Sequence, residues 1–452
     1  MSTGRTRDVS DRQRTLRATL DWSYDLLSGP EQGLRRRLSV FSAGFPFEAA
    51  EVVGVAGEVG TEDILHLLGG LAEQSLVVAE VASGQKVRYG MLEPVSQYAL
   101  EKLQEHNEAE EAWRRHAAFF LELAELADPE VRGPRQVVWL ERLEEDNDNL
   151  RTAMSWALST RDDDTAVRLG WALHTFWLVR GHHREERRWI EATLEHDLAR
   201  ALRTKALLVA GAMAYAQGDY PAAEEHWQEA LRLSLREGDI PAEGHACAGL
   251  ALVAIVRPDY GSAASRLEKA IALFDRCDDA YRASALRVVL GTVLQARGES
   301  GRAERQFEEG LASARRLKIP SLTYIALYDS AHSALAHDER GKAARMLGEG
   351  IQWAARNQDK ANLAYLLEAL AAVTALGGEA QRSALLLGAA EALLEEVGAR
   401  VYNYYIPDRS VYERTTANVH AQLGEEGFEE ARSKGRAMTF EQAVEYALGV
   451  RP

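Results

Sequence analysis

The chain has 452 residues, with 53 Lys and Arg against 69 Asp and Glu for a formal charge of −16, and 46% of its residues are hydrophobic. That length exceeds one compact core, that apolar content excludes a disordered chain, and that acidity argues against broad contact with nucleic-acid phosphates. Two cysteines, Cys247 and Cys277, cannot build a disulfide framework, no apolar run approaches the ~20 residues of a membrane span, and MSTGRTRDVSDRQR lacks a signal-peptide core, so a cytoplasmic protein is expected.

Residues 1–12 are polar. From about residue 13, Leu16, Leu20, Tyr24 and Leu27 recur on one helical face, and Ser28-Gly29-Pro30-Glu31 restarts the chain with a capping-box pattern. Leu34, Leu38 and Phe41 continue the apolar face on a second helix, and a short third helix is expected over Phe47–Val55. Thr61 caps a fourth helix carrying Ile64, Leu67, Leu68 and Leu71, with Glu62 and Asp63 in its first turn. The period then changes. Leu76–Val81, a Ser83-Gly84 turn and Lys86–Met91 read as a β-hairpin, and a helix over Pro94–Leu103 closes a winged-helix domain spanning 13–108.

Residues 109–200 read as a helical linker and a first irregular repeat. A long helix carries Trp113, Phe119, Phe120 and Leu123 and is expected to stop before Asp128-Pro129. Val137–Leu143 forms another, and Asp148 or Asn149 caps the helix holding Leu150, Met154 and Trp156. Thr165–Leu194 reads as a hairpin turning at Arg180-Gly181-His182.

Over 201–398 a spacing of 40 residues recurs without gaps. Small residues occupy one column (Ala223, Ala263, Ala303, Ala343, Ser383), and large apolar ones follow four later (Trp227, Leu267, Phe307, Leu347, Leu387). Small residues return three after that (Ala230, Ala270, Gly310, Gly350, Ala390). A fixed period in this range marks stacked helical hairpins, each burying its apolar face only against neighbours. The tail, 399–452, contains Tyr402, Tyr404 and Tyr405, helices near 409–422 and 425–434, and a Thr439–Gln442 capping box. It is expected to cover the last repeat. The fold class is therefore all-α: a solenoid of helical hairpins behind an N-terminal winged helix with a small β-hairpin.

These residues carry two resemblances. Gly211, Ala223, Trp227 and Ala230 are spaced as in tetratricopeptide repeats, although the period exceeds the usual 34 residues. Leu16–Leu27, Arg36–Phe41, Arg88–Ala99 and Asn147–Arg151 resemble AfsR- or LuxR-like bacterial transcriptional regulators of the STAND class, the signal-transduction ATPases with numerous domains. That resemblance implies a nucleotide-binding module, a winged helix and a tetratricopeptide-like sensor. A phosphate loop needs G-x-x-x-x-G-K-[ST], yet Gly341-Lys342 is followed by Ala343 with Ala336 in the first-glycine position. Met91-Leu92-Glu93 stands where relatives carry Met-His-Asp, so neither an ATPase nor a nucleotide cofactor is expected of this chain.

No catalytic constellation is visible, and a non-enzyme is expected. His182-His183 lacks a third ligand at metal spacing, Asp146–Leu150 lacks the glycine of a calcium loop, and Cys247 fits a buried helical position. Neither a metal nor any other cofactor is expected. There are two alternative functions. One is the sensor part of a split nucleotide-dependent STAND switch whose ATPase module lies in another polypeptide. The other is direct DNA reading, for which Arg35, Arg36 and Arg37 form the densest basic cluster, although Thr61–Ser75, placed as a recognition helix, holds no Lys or Arg. The stronger candidate is the inner face of the array, which in tetratricopeptide proteins is formed by the first helix of each hairpin. By register the resemblance puts Lys205, Leu208, Ala212 and Tyr215 there, then His245, Leu252 and Ile255, then Val288, Thr292 and Gln295. Tyr328, His332 and Leu335, followed by Tyr365 and Glu368, complete it. That mixture suits a protein or peptide partner or a small effector.

Overall fold

The computed structural model describes residues 15–57, 59–81, 87–180, 183–397 and 409–449. The chain divides into two compact units: the first runs to Ala127 and adds Glu141–Ala172, and the second comprises Asp128–Leu140 and everything from Leu173. The stretch 109–200 is thus shared between the units rather than standing as a segment of its own.

The first unit opens with α1 (residues 15–25) and α2 (Gly29–Leu38). The Ser28 capping box forms, Glu31 accepting from the Ser28 N–H at 2.8 Å while Ser28 Oγ accepts from the Glu31 N–H. Next come β1 (Phe45–Pro46), α3 (Phe47–Gly54), α4 (Thr61–Glu73), β2 (Val78–Val81), β3 (Val87–Gly90) and α5 (Glu93–Glu105). Gly60, not Thr61, caps α4, its N–H donating to Asp63 Oδ2 at 2.9 Å. The sheet is antiparallel in the order β1-β3-β2, pairing Phe45 with Tyr89 and Val81 with Val87. The Ser83-Gly84 turn lies outside the described residues.

Helix α6 (Ala109–Glu130) runs through Asp128-Pro129; the proline falls in its last turn, where a missing N–H costs a single bond. Helix α7 is Gln136–Glu145, and α8 is Asn147–Thr160. The polar run before α8 does not cap it by side chain. Asp146 instead meets Arg88 Nη2 at 2.6 Å, while the Asn149 carboxamide bonds the Ser42 N–H and the Gly44 carbonyl, each at 3.1 Å. Phe41, His116 and Phe120 close the core behind them.

Helix α9 (Asp163–Arg180) leads to α10 (His183–Leu194); Gly181 and His182 between them lie outside the described residues. Five helical pairs follow: α11 (Arg200–Ala216) with α12 (Tyr220–Glu237), α13 (Ile240–Val256) with α14 (Tyr260–Arg276), and α15 (Ala280–Ala296) with α16 (Ser300–Leu317). The last two are α17 (Pro320–Ala336) with α18 (Arg340–Arg356), and α19 (Lys360–Leu376) with α20 (Ala380–Val397). Each helix packs chiefly on its sequence neighbours, as a solenoid requires. Two local signals set the 40-residue spacing. Glycines in the left-handed region close helices at Gly218, Gly298 and Gly378, and Asp219, Asp259, Asp279 and Asp359 accept from N–H groups three residues on.

The columns pack as the period implies. A methyl placed on Gly211 would lie 2.5 Å from Trp227 Nε1, one on Gly249 would strike the same ring, and one on Gly291 would lie 2.6 Å from Phe307. The tail forms α21 (Arg409–Arg436), broken at Gly424 (φ 68°), and α22 (Phe440–Leu448), opened by the Thr439 capping box. Helix α21 lies on α20 and α19, and α22 reaches back to α18. Residues 398–408, with Tyr402, Tyr404 and Tyr405, are outside the described residues.

Candidate ligand cavity on the repeat array

Helices α15, α17, α19 and α21, with Phe307 of α16, line an open cavity of about 690 Å³. Its polar lining comes from Thr292 and Gln295 on α15, Asp329 and His332 on α17, and Arg414, Thr415 and Asn418 on α21. Phe307, Leu335, Leu376 and Val411 supply apolar walls. The volume is that of a small-molecule or short-peptide site. Thr292 Oγ1 donates to the Val288 carbonyl at 3.3 Å, one turn back. His332 is oriented from below: its Nδ1 lies 3.0 Å from the Tyr328 carbonyl oxygen, and its ring sits tilted against that tyrosine, centres 4.1 Å apart.

The inner-face residues expected from register separate into three groups. Thr292, Gln295 and His332 come together in the cavity, with Leu335 beside them. Lys205, Tyr215 and His245 lie elsewhere along the array: Lys205 is exposed on α11, and Tyr215 packs on Tyr220 and Trp227, where burial pushes its phenol up to about 12. His245 packs edge-on against Phe274, and burial, aided by the Arg282 charge, pulls its basicity well below the ordinary imidazole range. Tyr328, Tyr365 and Glu368 require correction. All three are buried, Tyr328 and Tyr365 within the core of the last repeats, and Glu368 close enough to Tyr412 of α21 to help raise its phenol pKa. The tail helix packed on α19 closes off that end of the inner face.

Arg35, Arg36 and Arg37 also need correction as DNA contacts, because α2 turns all three inward. Arg35 is 0% exposed, its guanidinium carbon 5.7 and 5.5 Å from the Tyr24 and Tyr98 ring centres. Arg36 donates to Tyr24 Oη at 2.6 Å and pairs with Glu108 at 2.7 Å. Arg37 donates to the Gly54 carbonyl at 2.8 Å. Phosphate recognition needs donors at the surface, and this cluster presents none. Helix α4 exposes Glu62, Asp63 and Leu65.

Cys247 is buried and its thiol is pushed up by that burial, as befits a packing residue. Among the described residues no three His, Cys, Asp or Glu side chains gather as a metal site, and no helix is long and apolar enough to cross a membrane. His182 and the side chain of His183 lie outside the described residues.

Asp329, Arg414 and Asn418 escaped the register argument. Arg414 and Asn418 arrive from the tail, which no repeat period reaches. Asp329 did leave a signal: its column otherwise holds Val209, Gly249, Val289 and Ala369.

The chain resembles part of a transcriptional regulator. It is 37% identical over 216 residues to a "putative HTH-type transcriptional regulator" of Mycobacterium tuberculosis, covering 45% of this chain and 24% of that protein. It is 41% identical over 105 residues to an uncharacterized protein of the same organism, covering 23% and 26% respectively. The chain thus spans about a quarter of the length of these curated relatives. No family model matches it. Among solved structures, a STAND protein with a tetratricopeptide repeat sensor from Pyrococcus horikoshii superposes with a TM-score of 0.50 at 13% identity, over 94% of this chain and 66% of that one. At that identity the likeness concerns the fold: the array is tetratricopeptide-like.

Proposed function

We propose that this chain is the winged-helix and sensor portion of a cytoplasmic bacterial transcriptional regulator, STAND-class and AfsR- or LuxR-like in type, without catalytic activity of its own. Its repeat array takes up a peptide, protein segment or small effector, and occupancy biases the winged-helix unit toward or away from a partner. The observation that carries this reading is the cavity, where hydrogen-bonding groups from α15, α17 and α21 converge between apolar walls. The regulator likeness supports the regulatory role. A ligand held by helices from separate repeats would favour one curvature of the array over another, and a ligand shifts an equilibrium only through such differential contact.

The test uses the full chain as bait, beside a Thr292→Arg/Leu335→Arg variant that fills the cavity. A stoichiometric partner or ligand retained by the first and lost by the second supports the reading. Identical recoveries by both would refute it. A captured ligand should also change hydrogen-exchange protection within residues 15–105, and unchanged protection at saturation would remove the switching step.

A further inference from the structure

Position 329 breaks the rule of its column. Val209, Gly249, Val289 and Ala369 occupy the equivalent place on the other inner helices, and at Gly249 that place lies directly against the Trp227 ring of the preceding hairpin. Asp329 puts a carboxyl there, half-buried on the cavity wall that Phe307 also lines. Among the described residues no hydrogen bond or ion pair reaches it, and burial alone pushes its pKa to about 8. A desolvated carboxyl without a partner is costly, and where one persists beside a cavity a bound group is the natural complement.

We propose that this cavity binds a ligand bearing a protonated primary amine on a short apolar body, the ammonium seated on Asp329. This inference rests on the ligand-binding reading of the array and names the chemistry of what it takes. An ammonium offers three donors. Asp329 supplies a carboxylate, and Thr292, Gln295 and Asn418, whose side chains carry acceptor oxygens, line the same space, the Asn418 Oδ1 also accepting from Gln422 Nε2 at 2.8 Å. Leu335, Leu376 and Val411 receive the apolar body. The other titratable or charged groups in the lining are His332, one turn along α17, and Arg414 on α21; α15, α16 and α19 contribute none. At neutral pH the Asp329 carboxyl holds its proton much of the time, so seating an ammonium expels that proton to the buffer. Affinity therefore rises as pH approaches 8.

The test is isothermal titration calorimetry of the full chain with phenethylamine, hexylamine and the dipeptide amide Leu-Phe-NH2. Each is run beside its N-acetyl counterpart, in two buffers of different ionisation enthalpy. At least one amine should saturate with a dissociation constant of about 1 mM or tighter, release protons, and weaken about tenfold or more in Asp329→Asn. The acetylated partners should not bind. Free amines alone would indicate a small effector, and the dipeptide alone a peptide N-terminus. The inference is overturned by no saturation with any amine, by equal binding of acetylated forms, or by unchanged binding to Asp329→Asn. The acetylation comparison needs no variant, so it holds even if that substitution disturbs folding. If no amine binds while the cavity-filled variant still loses its captured partner, this inference falls and the proposed function stands. Equal capture by both baits removes the proposed function whatever the amines do.

Discussion

His116 should make the first unit acid-sensitive. It is 0% exposed on α6, with ring centres at 4.7 Å from Phe120, 5.2 Å from Phe41 and 5.7 Å from Trp113. Burial lowers its pKa to about 3, the Asn149 side chain opposing. The folded chain therefore keeps the imidazole neutral, while the unfolded chain protonates it below its ordinary value of about 6.5. The sign follows: this residue costs nothing above that value, and stability is lost as pH falls through it, levelling off near pH 3. Between pH 7 and pH 5 the loss amounts to about 2 kcal/mol, a large fraction of a typical domain's ~5–15 kcal/mol. Replacing His116 with Leu removes the titration while retaining an apolar side chain. Urea unfolding of both proteins at the two pH values, read by hydrogen exchange in 109–130, isolates the effect, since other titrating groups cancel in the difference. The wild type should lose about 2 kcal/mol more than the variant. Parallel losses would show that the imidazole titrates alike in both states, and the reasoning would fail.

Other substitutions probe the remaining features. Arg35→Met replaces a buried guanidinium whose three nitrogens have no hydrogen-bond partner, and should be neutral or stabilising by up to about 4 kcal/mol; a large fall in melting temperature would contradict this. Arg88→Ala strands the buried Asp146 carboxylate and should cost about 3–5 kcal/mol in denaturant unfolding. Gly291→Ala drives a methyl into Phe307 and should cost about 1–3 kcal/mol; a stability equal to wild type would mean the hairpin interface is looser than it looks.

The array was legible because its period is written in residues that can do only one job: large apolar side chains opposite small ones, glycines at left-handed turns and aspartates at helix starts. The wing was legible from two short runs rich in Val and Tyr that flank the Ser83-Gly84 pair, containing the strands Val78–Val81 and Val87–Gly90. Strand β1 was not, since Phe45-Pro46 is too short to alternate. Arg35–Arg37 misled because three consecutive cations read as a solvated face; only tertiary packing supplies Tyr24, Tyr98, Glu108 and the Gly54 carbonyl that accept them. Tyr365 and Glu368 misled for the opposite reason. Their register was right for an inner face, but the non-repeating tail sits there. Thr292, Gln295 and His332 of the cavity's polar lining were visible by register; Asp329 was not, and the part from α21 had no period to announce it.

Trp227 fills a notch cut by two glycines from successive hairpins, Gly211 on its own and Gly249 on the next. One indole thus acts as a spacer whose thickness sets the angle between neighbouring repeats. Trimming it would leave a void at the seam between these two hairpins, weakening the coupling between neighbouring repeats at that point.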